Sequence, residues 1–215
     1  MKYNFNFLLL LLIGSYACAQ YDGKRYNQFS VEASYNISVP YTAIDFKDKS
    51  NGNFTSFDGF NLGARFMFNQ NWGLKGEVVY NGYHGENNLG TNFIRLDAQA
   101  VYNLGRLINL PYATNDKVGL LLHSGFGISK SKSLVKNTTE NIGNYIIGLR
   151  PIFSLSDRIA LSMDMTYVAN FKQQFNYDGQ YFNNDKDNYK FGYNLNYSFG
   201  LIFYMGNKKR HADWY

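Results

Sequence analysis

The chain has 215 residues, enough for one domain or a small barrel and too few for a large second unit. Aromatic residues make up 18% and charged residues only 17%, below the roughly 25% of ordinary soluble domains, a balance that points to a β-rich chain. A net charge of +5 is too small to predict nucleic-acid binding.

Residues 1–19 read as a cleaved secretory signal. In "MKYNFNFLLLLLIGSYACAQ", Lys2 gives a positive start. Phe7 to Ile13 form an apolar run too short to span a bilayer as a helix, and Ala17-Cys18-Ala19 supply the small residues of a peptidase site. Cleavage after Ala19 leaves 20 basic and 16 acidic residues, a mature charge of +4. It also removes Cys18, the single cysteine, so no disulfide or thiol chemistry is expected. Lipidation of Cys18 is the competing reading; it normally requires an aliphatic residue three places earlier, where Ser15 stands. No later stretch is apolar enough for a transmembrane helix.

From residue 20 on, period-two alternation recurs in eight runs. The first sets Phe29, Val31, Ala33, Tyr35 and Ile37 against Ser30, Glu32, Ser34 and Asn36. The second sets Phe60, Leu62, Ala64, Phe66 and Phe68 against Asn61, Gly63 and Arg65; the third Trp72, Leu74, Gly76, Val78 and Tyr80 against Lys75, Glu77 and Asn81. In the fourth, Ile94, Leu96, Ala98, Ala100 and Tyr102 alternate with Arg95, Asp97, Gln99 and Asn103. The fifth has Val118, Leu120, Leu122, Phe126 and Ile128 around Gly119, His123, Gly125 and Gly127; the sixth Tyr145, Ile147, Leu149 and Phe153 around Gly148, Arg150 and Ser154. The seventh has Ile159, Leu161, Met163, Met165 and Tyr167 around Ser162, Asp164 and Thr166. The eighth has Tyr193, Leu195, Tyr197, Phe199, Leu201 and Phe203 around Asn196, Ser198 and Gly200. Runs of about ten residues suit tilted strands that cross a membrane.

The connections alternate in length. Residues 40–57, 82–90, 130–140 and 171–190 are long; "NQN" and "SDR" are tight. Residues 105–116, with Pro111, are longer than the pattern expects. Long outer loops and short periplasmic turns are the layout of an outer-membrane barrel. A soluble sandwich or lipocalin would alternate too, but with its charged face outside. Here the polar face carries four acids and four bases: Glu32, Arg65, Lys75, Glu77, Arg95, Asp97, Arg150 and Asp164. The apolar face carries no charge within the runs. A balanced charge set on a narrow Gly/Ser/Asn face suits the inside of a small barrel, and an uncharged aromatic-rich face suits lipid, where closure is forced because lipid cannot satisfy a sheet edge. The expected fold is therefore all-β: an eight-stranded antiparallel up-and-down transmembrane β-barrel over 20–206, with a basic periplasmic tail over 207–215.

Aromatic residues cluster near run ends. Phe68, Trp72, Tyr102, Phe153 and Phe203 fall at the expected periplasmic ends, and Tyr35, Tyr80, Tyr145, Tyr167 and Tyr193 at the outer ends, as two headgroup-level bands would require. Pro151 removes a ladder donor within the sixth run, so a bulge or the end of the ladder is expected there.

Eight strands enclose a space that side chains fill. The inward charges, with His123, are therefore expected to pair into a plug. No catalytic constellation is legible: His123 faces inward while Ser124 faces outward, and His84 and His211 lie in a loop and the tail. "GFGISK" at 125–130 distantly resembles a phosphate loop but lies on an alternating strand with no helix after it, so Gly125 and Gly127 are expected to make room inside the barrel. Asp185 and Asp187 have calcium-loop spacing without the Gly and the distal Glu. No metal and no cofactor are expected.

The stretches "NWGLKGEVVYN", "GLRPIFSLSDRIALSMDMTY" and "LNYSFGLIFYMGNKKRHADWY" resemble the N-terminal transmembrane β-barrel of OmpA-family outer-membrane proteins, in the Bacteroidota form. In such relatives a segment like "KKRHADW" leads into a periplasmic peptidoglycan-binding domain; with the sequence ending at Tyr215, no such domain is expected here. The resemblance implies a location in the outer membrane of a gram-negative envelope and a structural or weakly porin-like role.

The expected function is that of a small non-enzymatic outer-membrane barrel serving structure or interaction, with a narrow channel for small solutes as the alternative and a lipid-modifying enzyme third. Expected partners are outer-membrane lipids including lipopolysaccharide, and envelope proteins reached through loops 40–57 and 171–190 or through Lys208, Lys209 and Arg210 of the tail.

Overall fold

A computed structural model describes residues 25–42, 54–85, 89–181 and 189–214. The signal segment with Cys18, the middle of loop 40–57, Asp185, Asp187 and Tyr215 lie outside these residues.

Eight strands close into one antiparallel barrel in chain order, the last pairing with the first. They are β1 (Phe29–Thr42), β2 (Ser56–Met67), β3 (Trp72–His84), β4 (Gly90–Asn103), β5 (Val118–Ser133), β6 (Thr139–Ser156), β7 (Ile159–Gln173) and β8 (Lys190–Met205). Closure runs through a continuous ladder from Phe29–Met205 to Thr42–Gly192. Each strand contains one of the alternating runs, save that Phe68 of the second falls just past β2, and several extend beyond the run on the outer side. β5 reaches Ser133 and β6 starts at Thr139, so the connection expected over 130–140 shrinks to 134–138.

The tight turns are set by side chains that replace missing backbone partners. Asn69 Oδ1 accepts from the N–H groups of Asn71 and Trp72, each at 2.8 Å, and so turns β2 into β3. Ser156 Oγ accepts from Arg158 and Ile159 between β6 and β7. The long connection after β4 forms two helical turns, α1 (Leu104–Leu107) and α2 (Leu110–Ala113). Asn103 caps α1 by accepting from Arg106 N–H, and Pro111 sits in the first turn of α2, where its lost N–H would be unpaired anyway.

Pro151 departs from expectation. The β6–β7 ladder skips Arg150 and Pro151 but resumes in the same register at Ile152–Ser162, and Pro151 remains paired with Leu120 of β5. The missing donor is absorbed by a two-residue gap, and the irregularity of this ladder lies further on, at Ser154/Ser156.

Burial along the strands is inverted relative to a soluble barrel. Leu62, Leu74, Leu96, Ile128 and Phe199 are among the large apolar side chains exposed outside, while Arg65 and Lys75 are fully buried inside. An exterior of this kind excludes water only when lipid covers it.

Candidate functional site: the charged barrel interior

The inward face of β4 samples the whole interior. From the short-turn end it reads Val101, Gln99, Asp97, Arg95 and Phe93, all buried. These correspond to an apolar layer, an ionic layer and an outer aromatic layer, with amides and hydroxyls between the last two.

The innermost layer packs Met67, Val101, Leu121, Ile152, Ala160, Ile202 and Tyr204 with Ala212 and Trp214 of the tail. The sequence reading assigned only small and polar residues to the inner face. The apolar inward residues at the strand ends correct it: they form a lid of hydrocarbon at the mouth.

Above this lie the charges. Arg65 donates from Nε to Glu32 Oε1 at 2.7 Å, and Arg150 bonds Glu32 and donates from Nε to Asp164 Oδ2 at 2.6 Å. Lys75 pairs with Glu77 and lies 3.8 Å from Glu32. Arg95 donates to Asp97 at 2.8 Å, and Gln99 Nε2 donates to the other Asp97 oxygen at 2.6 Å. His123 places Nδ1 2.5 Å from Gln99 Oε1 and Nε2 3.1 Å from Asp164 Oδ2, so it bridges the Arg95–Asp97 group to the Glu32–Arg150 group. All nine residues of the expected interior set, Glu32, Arg65, Lys75, Glu77, Arg95, Asp97, His123, Arg150 and Asp164, face this lumen. Buried in this way, each charge is tolerable only because partners surround it.

A tenth member was not legible as such. Asp213 takes both terminal nitrogens of Arg65, at 2.7 and 2.8 Å, and accepts from the Tyr204 hydroxyl at 3.0 Å. Burial alone would raise its pKa, but the Arg65 charge prevails and holds it well below the usual carboxylate range. Asp213 also makes five acids against four bases, with His123 beside Asp164 and His211 beside Asp213.

The tail therefore does not hang free. Gly206 ends β8 at φ +130, in space where a Cβ would strike Asn27. Asn27 then holds the turn: its Nδ2 donates to Lys208 O at 2.6 Å, its Oδ1 accepts from Lys208 N–H, and its N–H donates to Arg210 O. Lys208, Lys209 and Arg210 are exposed, and Arg210 pairs with Asp116 at 2.8 Å. Beyond them His211 stacks on Tyr204, with ring centres 4.4 Å apart, and His211, Ala212, Asp213 and Trp214 are buried in the mouth. This overturns the linker expectation for the last residues of 207–215. A polar-looking "HADW" is an internal seal because an acid and three apolar or aromatic groups meet a buried arginine and an open apolar layer.

Further out, amides and hydroxyls link the strands: Asn36 to Asn81, Ser38 to Asn196, Asn61 to Ser198, and Ser129 to Asn144. Tyr83 then meets Phe93 and Tyr177 edge to face, Phe93 stacks on Tyr177, and Phe54 and Ile142 pack against them at the outer mouth. Glu140 lies near the outer end of β6 and points inward. Its carboxylate accepts from Gln174 N–H at 2.6 Å and Phe175 N–H at 3.2 Å, fastening residues 174–181 over the opening.

The residues expected in the two aromatic bands all lie on the outer face, and several touch across strands: Trp72 with Tyr102, and Tyr167 with Tyr193. Ser124 bonds the Tyr145 hydroxyl on that outer face, separated by the barrel wall from His123. A Cβ on Gly125 would lie 2.1 Å from the carbonyl oxygen of Ala98, so the glycine admits the neighbouring strand and cradles no phosphate. Among the described residues no group of three His, Cys, Asp or Glu side chains is placed to hold a metal ion.

No family model and no curated protein matches the sequence. Solved structures do. Neisserial surface protein A is 10% identical over 82% of this chain and 97% of its own, with a TM-score of 0.58. A major outer-membrane protein from Thermus thermophilus is 12% identical over 83% and 98%, TM-score 0.51. OprG of Pseudomonas aeruginosa is 10% identical over 86% and 99%, TM-score 0.50. Identity this low carries the fold alone, and together with the lipid-compatible exterior it makes this chain an all-β, eight-stranded antiparallel up-and-down barrel of the small outer-membrane type.

Proposed function

We propose that the protein is a small, non-enzymatic integral barrel of a gram-negative outer membrane that serves as a scaffold or interaction element and conducts no solutes. The observation that carries this reading is the threefold obstruction of the lumen. An apolar seal containing Trp214, an ion-paired layer centred on Glu32 and Arg150, and an aromatic layer around Tyr83 and Tyr177 lie in series. The obstruction also argues against the narrow-channel alternative. The opposed orientation of His123 and Ser124 argues against an enzyme. Partner binding falls to the outer loops 40–57 and 171–190, near which Phe57, Tyr189 and Phe191 stand exposed, and to the basic tail residues.

Planar-bilayer recording tests it. The wild-type protein, inserted and verified by protease protection, is expected to give no stable conductance steps. Steps that are enlarged or abolished by changing Arg65 or Glu77 would replace the scaffold with a pore. Pull-down from detergent-solubilised envelope then tests for a protein partner.

A further inference from the structure

The connection after β4 and the C-terminal tail enclose a cleft of about 370 Å³ at the short-turn end of the barrel. Arg106, Pro111, Tyr112 and Asp116 line it from the connection, and Arg210 and Trp214 from the tail. Trp214 belongs to the apolar layer of the mouth, so the cleft borders the lumen rather than the lipid-facing wall. Its volume is at the low end of sites that hold small ligands. Both sides are fixed. On the connection, Asn109, Asn115 and Asp116 adopt φ of 56°, 52° and 59°, a left-handed conformation that Asn and Asp tolerate. Asp116 N–H donates to Pro111 O at 2.7 Å, and Thr114 Oγ1 donates to Leu110 O at 2.8 Å and accepts from Val118 N–H at 3.1 Å. The tail is held by Asn27 through Lys208 and Arg210. A cleft formed in advance spares a ligand the cost of ordering it.

The lining is aromatic and basic. Tyr112 is 88% exposed beside Pro111, a large ring left to water at the edge of the cleft. A groove lined by rings is the surface on which extended, proline-containing peptide segments dock. Arg210 spends Nη1 on Asp116 at 2.8 Å while its side chain stays more than half exposed, and a pair so exposed holds weakly. The fork of its other N–H groups can take an incoming carboxylate. On the same end of the barrel Arg25, Lys117, Arg158, Lys208 and Lys209 are exposed, and among the described residues Asp157 is the one fully exposed acid there.

We propose that this cleft docks an extended acidic segment of a periplasmic protein, with an aromatic or proline side chain seated against Tyr112 and Trp214 and a carboxylate on Arg210. The proposal deepens the interaction reading given above and rests on its placing the short-turn end of the barrel in the periplasm. Charge complementarity selects the acidic segment: the cations around the cleft raise its local concentration, and the guanidinium fixes its register. The rings supply the apolar contact that a free carboxylate or a simple anion would not use.

The full chain, folded in uncharged detergent, is titrated into a fluorescently labelled hexapeptide, Glu-Glu-Tyr-Pro-Glu-Glu, and binding is read by anisotropy. Wild type is expected to bind saturably, and to bind the same peptide with Gln in place of every Glu about tenfold more weakly or not at all. Arg210→Gln and Tyr112→Ala should each weaken binding of the acidic peptide about tenfold. Lys208→Gln/Lys209→Gln, which removes two cations outside the cleft, should stay within about threefold of wild type. Heat-dependent gel mobility verifies that each variant is folded. Wild-type affinity in Tyr112→Ala, a loss in the double lysine variant as large as that in Arg210→Gln, or no saturable binding by wild type overturns the docking site. Displacement of the bound peptide by short-chain phosphatidylglycerol, added at the peptide's concentration, makes a lipid the occupant and overturns it too. Each of these outcomes leaves the scaffold reading intact; that reading falls instead if wild type gives stable conductance steps.

Discussion

Arg65 and Asp213 are 148 positions apart in sequence and are joined by two parallel bonds of 2.7 and 2.8 Å inside the barrel mouth. One lies on the inward face of β2, the other in a short 3-10 turn (Ala212–Trp214) after the last strand. Their contact turns a C-terminal segment into part of the interior. Asp213→Ala leaves Arg65 with Glu32 alone, and the folded state is expected to lose about 3 kcal/mol, the low end for breaking a buried pair because one partner remains. Urea unfolding in detergent micelles reads this as a lower midpoint. Because the folded pKa of Asp213 is depressed, its contribution is present above the ordinary carboxylate range and is lost only as pH falls far below it. An unchanged midpoint at neutral pH would mean that the tail does not seal the mouth.

Trp214 fills the same mouth beside Met67, Leu121 and Ile152. Trp214→Ala leaves a cavity among these side chains and should cost about 3–5 kcal/mol, with Trp214→Phe well below that. Trp214 should also be protected from collisional quenching by iodide, whereas the exposed Trp72 meets the bilayer interface. Comparing wild type with Trp72→Phe separates the two fluorescence signals.

Glu140 holds the outer closure through the N–H groups of Gln174 and Phe175. Glu140→Ala removes both acceptor oxygens, and hydrogen exchange at Gln174 and Phe175, corrected for intrinsic rates, should become faster. Unchanged rates would mean that the carboxylate does not fasten this segment.

Leu96 on β4 tests the solvent of the outer face. It is 55% exposed, and in a water-soluble barrel Leu96→Arg would change stability within about 0.5 kcal/mol. Facing lipid it should cost about 2–4 kcal/mol, measured as the free energy of folding into vesicles.

Much of this molecule is written in its alternation. Phe60, Leu62, Ala64 and Phe66 against Asn61, Gly63 and Arg65 already assign the two faces of β2, because a strand sends successive side chains to opposite sides. The charge balance of the polar face marked it as the interior before any pairing was known. Local pattern did not reveal Val101, Leu121, Ile152 and Ile202 as a buried layer, since each reads as an exception within its own run. Nor could it relate Glu140 to the backbone of Gln174, 34 positions away.

The sequence by itself therefore determined the number of strands, their facing and the lipid-compatible exterior, all properties of a period of two. Only the tertiary structure decided that an apolar cluster and an aromatic cluster fill the two ends of the interior among the described residues, that Pro151 leaves the register undisturbed, and that "HADW" turns inward. Those outcomes depend on which strands become neighbours on closure and on what space remains inside. A buried arginine with one carboxylate already bound recruits a second from wherever the chain can supply it, and here the segment after β8 lies within reach.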